Sequence, residues 1–144
     1  MFKLFTVETA NDLLDAVEAR LTALETAVHD LRQAHARARE GRQDPAEALA
    51  LRAEIGFLAG AARDARRELE RLGVQVPDLE AGVVEFPARV GGEIVHLVWE
   101  RGEDTVTRYH RLTGDEATYP LDPDDATPRR GEPDPPQGTP EPRA

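Results

Sequence analysis

The chain has 144 residues, no cysteine and a formal net charge of −10, with 32% charged residues. The absence of cysteine excludes disulfides, zinc–thiolate centres and thiol nucleophiles. The acidic balance disfavours nucleic acid as a partner, because nucleic-acid binders gain affinity by neutralising phosphates. No run of about twenty apolar residues is available to span a bilayer, and residues 1–5 are too short for a secretory signal. The sequence therefore predicts a cytoplasmic protein with no membrane partner.

The first predicted element is a long helix over residues 6–40. Thr6 is a suitable N-cap, since its hydroxyl can accept from a free amide of the first turn, and Gly41 is a suitable stop. Apolar residues recur at steps of three and four along the helix. They are Ala10, Leu14, Val17, Leu21, Leu24, Val28, Leu31 and Ala38.

A second helix is predicted over residues 45–72, between an Asp44-Pro45 start and a Gly73 stop. Its stripe comprises Ala48, Leu51, Ile55, Leu58, Ala62, Ala65, Leu69 and Leu72. An apolar period of 3.5 residues is typical of a coiled-coil seam. Because the connection is short, the helices must be antiparallel neighbours, and residues 6–72 are predicted to form a long coiled-coil-like hairpin.

The second helix carries another apolar stripe beside the first, which predicts a further neighbour. This interaction face comprises Ala50, Ala53, Gly56, Phe57, Gly60 and Ala61. Two occupants are open at this point. The face can pack within the chain, against the first helix or the sheet, or it can pair with a second copy to give a four-helix homodimer. In a variant of the second possibility, the face binds a different protein.

After Gly73 the apolar period changes to two, which is typical of strands. Strands are predicted over 83–88, 93–100 and 105–112, giving a three-stranded antiparallel meander over 83–112. A two-residue turn at Gly91-Gly92 sets Phe86 opposite Leu97. A turn at Gly102-Glu103 would set Leu97 opposite Arg108 and Val95 opposite His110. One face then carries Val84, Phe86, Ala88, Val95, Leu97, Trp99, Val106 and Leu112.

From residue 113 the chain is polar and rich in proline, with little apolar content to offset the entropy of ordering. An acidic, Pro-rich disordered tail is predicted over 113–144. The fold class is therefore α+β, with a single domain over 1–112. Because a three-stranded meander needs cover on its apolar face, this face is expected to pack on the helical hairpin.

The second face of the predicted sheet holds the residues best suited to chemistry. The candidate polar cluster comprises Glu85, His96, Glu100, Tyr109 and His110. Carboxyl, imidazole and phenol groups are the side chains commonly used in general acid–base catalysis, and carboxylate and imidazole groups are common metal ligands. The alternative is an ordinary solvated strand face. The predicted register also places His110 and Arg108 among the apolar residues, where polar groups must be paired or lie at an edge.

Several segments resemble an uncharacterised prokaryotic family, domain of unknown function 2203. Residues 5–11 are similar to its Phe-Thr-x-Glu-x-Ala-Asn opening, and residues 82–87 to its Gly-x-Val-Asp-Phe-Pro. Trp99 with Gly102-Glu103, and the Tyr109-His110 pair, resemble its Trp-x-x-Gly-Glu and Trp-His. The chain departs from the family at Glu85 for Asp, at Tyr109 for Trp, and after His110, where a Gly-Phe-x-Gly-Arg run is missing. The resemblance implies this fold and no established activity.

The sequence favours a non-enzymatic interaction or scaffold module, with no catalytic residue, metal or cofactor assigned. A small metal-binding or hydrolytic protein using the polar cluster is the main alternative. The second alternative is nucleic-acid or ribosome association through the arginines of the second helix. These are Arg63, Arg66, Arg67 and Arg71.

Overall fold

The computed structural model describes residues 3–41, 44–112, 117–122 and 127–128. Three helices precede an antiparallel sheet, as the α+β prediction requires. The helices are α1 (Val7–Asp12), α2 (Leu14–Glu40) and α3 (Pro45–Leu72). No helix in the described ranges is long and apolar enough to cross a membrane. The described chain forms two compact units, one over Ala16–Leu72 and the other from the residues on either side of it.

The predicted first helix is divided at Leu13, the C-cap of α1. Thr6 is the N-cap as predicted, and its side chain accepts from the Thr9 amide at 3.0 Å. The division follows a local change in sequence, because Asn11 and Asp12 favour helix interiors weakly. Asn11 is engaged elsewhere, as its Oδ1 accepts from the Val106 amide at 2.8 Å.

The unit over Ala16–Leu72 is an antiparallel pair formed by α2 and α3. Two ion pairs reflect the antiparallel arrangement of the helices. Arg20 near the start of α2 pairs with Glu68 near the end of α3 at 3.5 Å, and Arg37 near the end of α2 pairs with Glu54 in α3 at 2.8 Å. Asp44 caps α3 as predicted, since its Oδ1 accepts from the Glu47 amide at 2.8 Å. The fully buried leucines and valine of the first stripe are Val17, Leu21 and Leu24. Coiled-coil packing of this pair stays a prediction.

Among the described residues, the other unit contains six strands, which lie side by side in their order along the chain. They are β1 (Gln75–Asp78), β2 (Val83–Val90), β3 (Glu93–Glu100), β4 (Arg108–Arg111), β5 (Tyr119–Asp122) and the two-residue β6 (Thr127–Pro128). Every neighbouring pair is antiparallel. Phe5 adds a parallel bridge to Ala88 on β2. The sheet is therefore wider than the predicted three-stranded meander.

The strand β5 also corrects the predicted bounds of the disordered tail. Residues 119–122, predicted to belong to a disordered tail, form β5, where Tyr119 and Leu121 are buried. Two apolar residues at alternate positions are enough here because β4 supplies a ready edge, with Tyr109 directly opposite Tyr119. The rest of the predicted tail, apart from residues 117–118 and 127–128, lies outside the described residues.

The register of the first hairpin is as predicted, and that of the second is shifted by one residue. Phe86 lies opposite Leu97. In the second hairpin, Leu97 lies opposite Tyr109 rather than Arg108, and Val95 opposite Arg111 rather than His110. A shift of one residue moves every side chain to the other face, so Arg108 and His110 leave the apolar face. The third strand also begins later than predicted, at Arg108.

The connection over residues 101–107 explains the shift. It begins with a tight turn centred on Arg101-Gly102, one residue earlier than predicted, in which the Glu103 amide donates to the Glu100 carbonyl at 3.0 Å. The Trp99 indole Nε1–H donates to the Glu103 carbonyl at 2.8 Å and fixes that turn. Beyond it, the chain leaves β3 because Val106 bonds to Asn11. The strand pairing resumes only at Arg108.

The apolar face of the sheet forms the core of this unit. The largest fully buried side chains on it are Trp99, Tyr109, Phe86, Leu97, Val84 and Val95. Phe5 meets Phe86 edge to face, with ring centroids 5.3 Å apart, the geometry that aromatic pairs prefer. Leu112, predicted to share this face, is 51% exposed. Whether the helical hairpin covers this face stays a prediction.

Replacing Phe86 by Ala should destabilise the sheet unit by about 3–5 kcal/mol, the usual cost of emptying a buried aromatic site. The measurement is urea unfolding followed by the fluorescence of Trp99, the single tryptophan of the chain. Leu112→Ala is the control, because Leu112 belongs to the same unit and is 51% exposed whereas Phe86 is 0% exposed. Equal losses in the two variants would contradict the assigned core.

Candidate metal centre

Three side chains of the predicted polar cluster converge on the second face of the sheet. Glu85 on β2, His96 on β3 and His110 on β4 each offer a ligand atom, and these atoms lie within 4.8 Å of one another. His96 and His110 are direct cross-strand partners, and their rings meet edge to face at 5.1 Å. The side chains are 15–23% exposed, so the cluster is largely shielded while still open to solvent.

His110 directs its Nε2 atom into the cluster. Its Nδ1 lies 3.0 Å from the Arg111 carbonyl, which can only accept, so Nδ1 carries a proton and donates. Nε2 lies 2.7 Å from Glu85 Oε2. A carboxylate also only accepts, so a contact of this length requires a proton on Nε2. A cation would replace that proton once the two atoms moved apart, since Zn–N and Zn–O bonds are about 2.0–2.2 Å. A backbone carbonyl on the far nitrogen is the usual support for a metal-binding histidine.

His96 completes the cluster with a buried ring nitrogen. Its Nδ1 lies 3.2 Å from Glu85 Oε1, yet among the described residues it has no hydrogen-bond partner, because the two atoms are close without being aligned. Burial lowers the pKa of His96 below its ordinary value, and the neighbouring His110 lowers it further, while Glu85 raises it. His96 is therefore neutral near pH 7, the form in which imidazole binds metals.

These ligand atoms suit a transition-metal ion of intermediate hardness, such as Zn²⁺. Two imidazole nitrogens and one carboxylate oxygen are the three protein ligands of several catalytic zinc sites, in which a fourth position is held by water. Zn–N and Zn–O distances of about 2.0–2.2 Å would require only small movements of these side chains. The second face also offers apolar walls, since Val98 and Pro87 beside the cluster are buried.

The remaining two members of the predicted cluster lie elsewhere. Tyr109 is fully buried on the apolar face and packs against Tyr119, with ring centroids 5.6 Å apart. This placement follows from the one-residue register shift that brought His110 into the cluster. Glu100 lies at the end of β3, where Oε1 is 3.6 Å from Arg108 Nη2. Arg108 also pairs with Glu103 at 2.6 Å, so both charges belong to a separate ion-pair network.

The predicted interaction face on α3 is largely exposed. Ala50, Ala53, Gly56 and Phe57 are exposed, while Gly60 and Ala61 are half-buried. At the end of the helix, Arg67 pairs with Asp64 and Arg71 pairs with Glu68. These pairs neutralise half of the four arginines considered as an anion-binding patch, and they are of the i,i+3 kind that stabilises a solvated helix.

A groove of about 430 Å³ was not anticipated from the sequence. It lies between α1 and the connection that precedes β4, where the Val106 amide donates to Asn11 Oδ1. Its lining comprises Val7, Glu8, Asn11, Asp12, Thr105, Val106, Thr107, Leu121 and Asp122. The lining contains none of the three residues of the candidate metal centre.

Comparison with known proteins finds one family. The model of the family described as "Uncharacterized conserved protein (DUF2203)" matches residues 3–117, which include all three residues of the candidate metal centre. No curated protein and no solved structure matches the chain.

The metal-free protein should show a His96 titration midpoint below the ordinary histidine value of about 6.5, because burial disfavours its charged form. The unfolded chain then binds more protons than the folded one below that value. His96 therefore makes the sheet unit less stable as the pH falls from about 6.5 toward its folded pKa. NMR titration of the ring resonances, assigned with His96→Gln, measures the midpoint. A value at or above 6.5 would contradict the described burial.

Proposed function

The chain belongs to the family of uncharacterised conserved proteins (DUF2203), and we propose that this member binds one divalent transition-metal ion through Glu85, His96 and His110. The observation that carries the proposal is the short contact between Glu85 Oε2 and His110 Nε2. The Arg111 carbonyl already uses the proton of the other ring nitrogen. A metal ion bound by both atoms, which would move apart to hold it, would replace the proton that this contact otherwise requires.

Zn²⁺ is the ion that the donor set favours. The chain has no cysteine, so thiolate ligands are excluded. The site offers three nitrogen and oxygen ligands, which leaves at least one coordination position of the ion free for water. Such an open position is typical of catalytic rather than structural zinc sites. Water bound there is acidified by the ion, so hydrolysis is the class of reaction accessible to this centre.

The proposal predicts one Zn²⁺ per chain, with binding lost or weakened by at least about tenfold in Glu85→Gln and His110→Ala. Losing one of three protein ligands removes a first-sphere bond, and even changes in supporting residues weaken sites of this kind by 10–100-fold. Elemental analysis after dialysis gives the stoichiometry, and titration calorimetry gives the affinity.

Two matched variants control this test. Glu100→Gln removes a carboxylate on the same strand as His96, and His29→Ala removes an exposed histidine of α2. Both should bind Zn²⁺ as the parent protein does. Absence of stoichiometric Zn²⁺ in the parent, or equal weakening in the controls, would reject the metal site.

A second candidate function is self-association through the interaction face of α3. Among the described residues, Leu49, Phe57 and Leu112 are the exposed large hydrophobic side chains, and the first two lie on α3. Phe57 is flanked by small residues, including Gly56, where an added Cβ would meet nothing within 4 Å. An exposed aromatic residue among small neighbours is well suited to a face that pairs with its own copy.

Light scattering coupled to size exclusion should therefore give the mass of a dimer at tens of micromolar protein. Phe57→Glu should give the mass of a monomer, because it buries a charge at the centre of the pairing face. Thr26→Glu, an equivalent change at an exposed position of α2, should remain dimeric. A monomeric parent protein would remove this second function and would leave the metal proposal untouched.

A further inference from the structure

Arg89 is a cation on the same face of the sheet as the candidate metal centre. It lies two residues beyond Pro87 on β2, and Pro87 is the cross-strand partner of His96. Alternation along a strand puts Glu85, Pro87 and Arg89 on one face. Arg89 itself pairs with Ile94, so His96 is its diagonal neighbour, a separation of about 7–8 Å that long side chains can bridge.

The guanidinium of Arg89 is available to a ligand. The side chain is exposed, and in the part of the chain that the structure describes it makes no hydrogen bond or ion pair. The other arginine on this face is different, because Arg108 is held by Glu103 at 2.6 Å and by Glu100 at 3.6 Å. Arg89 is thus the uncompensated positive charge beside the cluster.

Charge selects the class of ligand. A divalent ion with two neutral imidazoles and one carboxylate keeps one net positive charge, and Arg89 adds a second. This local charge is opposite in sign to that of the whole chain, which is −10. A phosphate group carries about −1.5 to −2 at pH 7 and has enough oxygens to bind the metal and accept from a guanidinium at the same time. A carboxylate would leave one positive charge uncompensated.

We propose that the centre binds a phosphate-type dianion, with one oxygen in an open coordination position of the metal and another held by Arg89. This inference rests on the proposed metal site and assigns its ligand class. Arg89 acts here as a binding residue for the anion and has no part in holding the ion. Its substitution should therefore separate the two properties.

The experiment uses the full chain loaded with Co²⁺, whose visible spectrum reports both metal binding and changes in its coordination. Inorganic phosphate is titrated into the loaded protein, and acetate is titrated in a parallel arm. We expect phosphate to change the spectrum with saturation and acetate to bind at least about tenfold more weakly. Arg89→Gln should weaken phosphate binding by about tenfold or more, the range expected when a charge-assisted hydrogen bond is lost.

Two controls separate this inference from the metal proposal. Arg89→Gln should bind Co²⁺ with the affinity of the parent protein, and Arg66→Gln, an equal charge change on α3, should bind phosphate as the parent does. A parent protein that binds no Co²⁺ would overturn the metal site and this inference together. A Co²⁺ spectrum that ignores phosphate, acetate binding as tight as phosphate binding, or unchanged phosphate affinity in Arg89→Gln would overturn this inference alone.

Discussion

The pairing of His96 with His110 across β3 and β4 is the constraint on which the candidate site depends. A one-residue slip in either direction would send His110 into the core and bring Tyr109 to the polar face. The slip is prevented from outside the strands, by the Trp99 bond to Glu103 and the Asn11 bond to Val106. Burial of Tyr109 against Tyr119 then stabilises the same register from the opposite face.

In this arrangement, opposing effects act on the protonation of the two histidines. Desolvation favours neutral His96, whereas the charge of Glu85 favours the protonated imidazole. At His110, the proton on Nδ1 is committed to the Arg111 carbonyl, so the contact of Nε2 with Glu85 needs a further proton, which a metal ion would replace. Proton and metal therefore compete for the same pair of atoms, which is the usual coupling in sites built from histidine and carboxylate ligands.

Local signals were sufficient for much of the fold and insufficient for the site. The caps at Thr6 and Asp44, the helical hairpin and the Gly91-Gly92 register all follow from residues close together in the sequence. The second hairpin does not, because its length is set by Asn11, whose partner Val106 is 95 residues away. The strand at Tyr119 was missed for the same reason, since its pairing edge exists only once β4 is in place. Glu85 and His96 share a face through the locally determined first hairpin, whereas His110 joins them and Tyr109 leaves them only because the second hairpin is shifted by one residue.

Two of the three departures from the resembled family pattern, at Glu85 and Tyr109, lie on opposite faces of the sheet. Tyr109 is a core residue, so a Trp at this position would change the packing of the core and leave the polar cluster unaltered. Glu85 is different, because its carboxylate must reach from β2 across β3 to His110 on β4, and it does so in direct contact at 2.7 Å. An Asp at this position is one methylene shorter and would leave a gap between carboxylate and imidazole. A metal ion with ligand bonds of about 2.0–2.2 Å on either side is the kind of bridge that fills such a gap, so both forms of the pattern are compatible with the same centre.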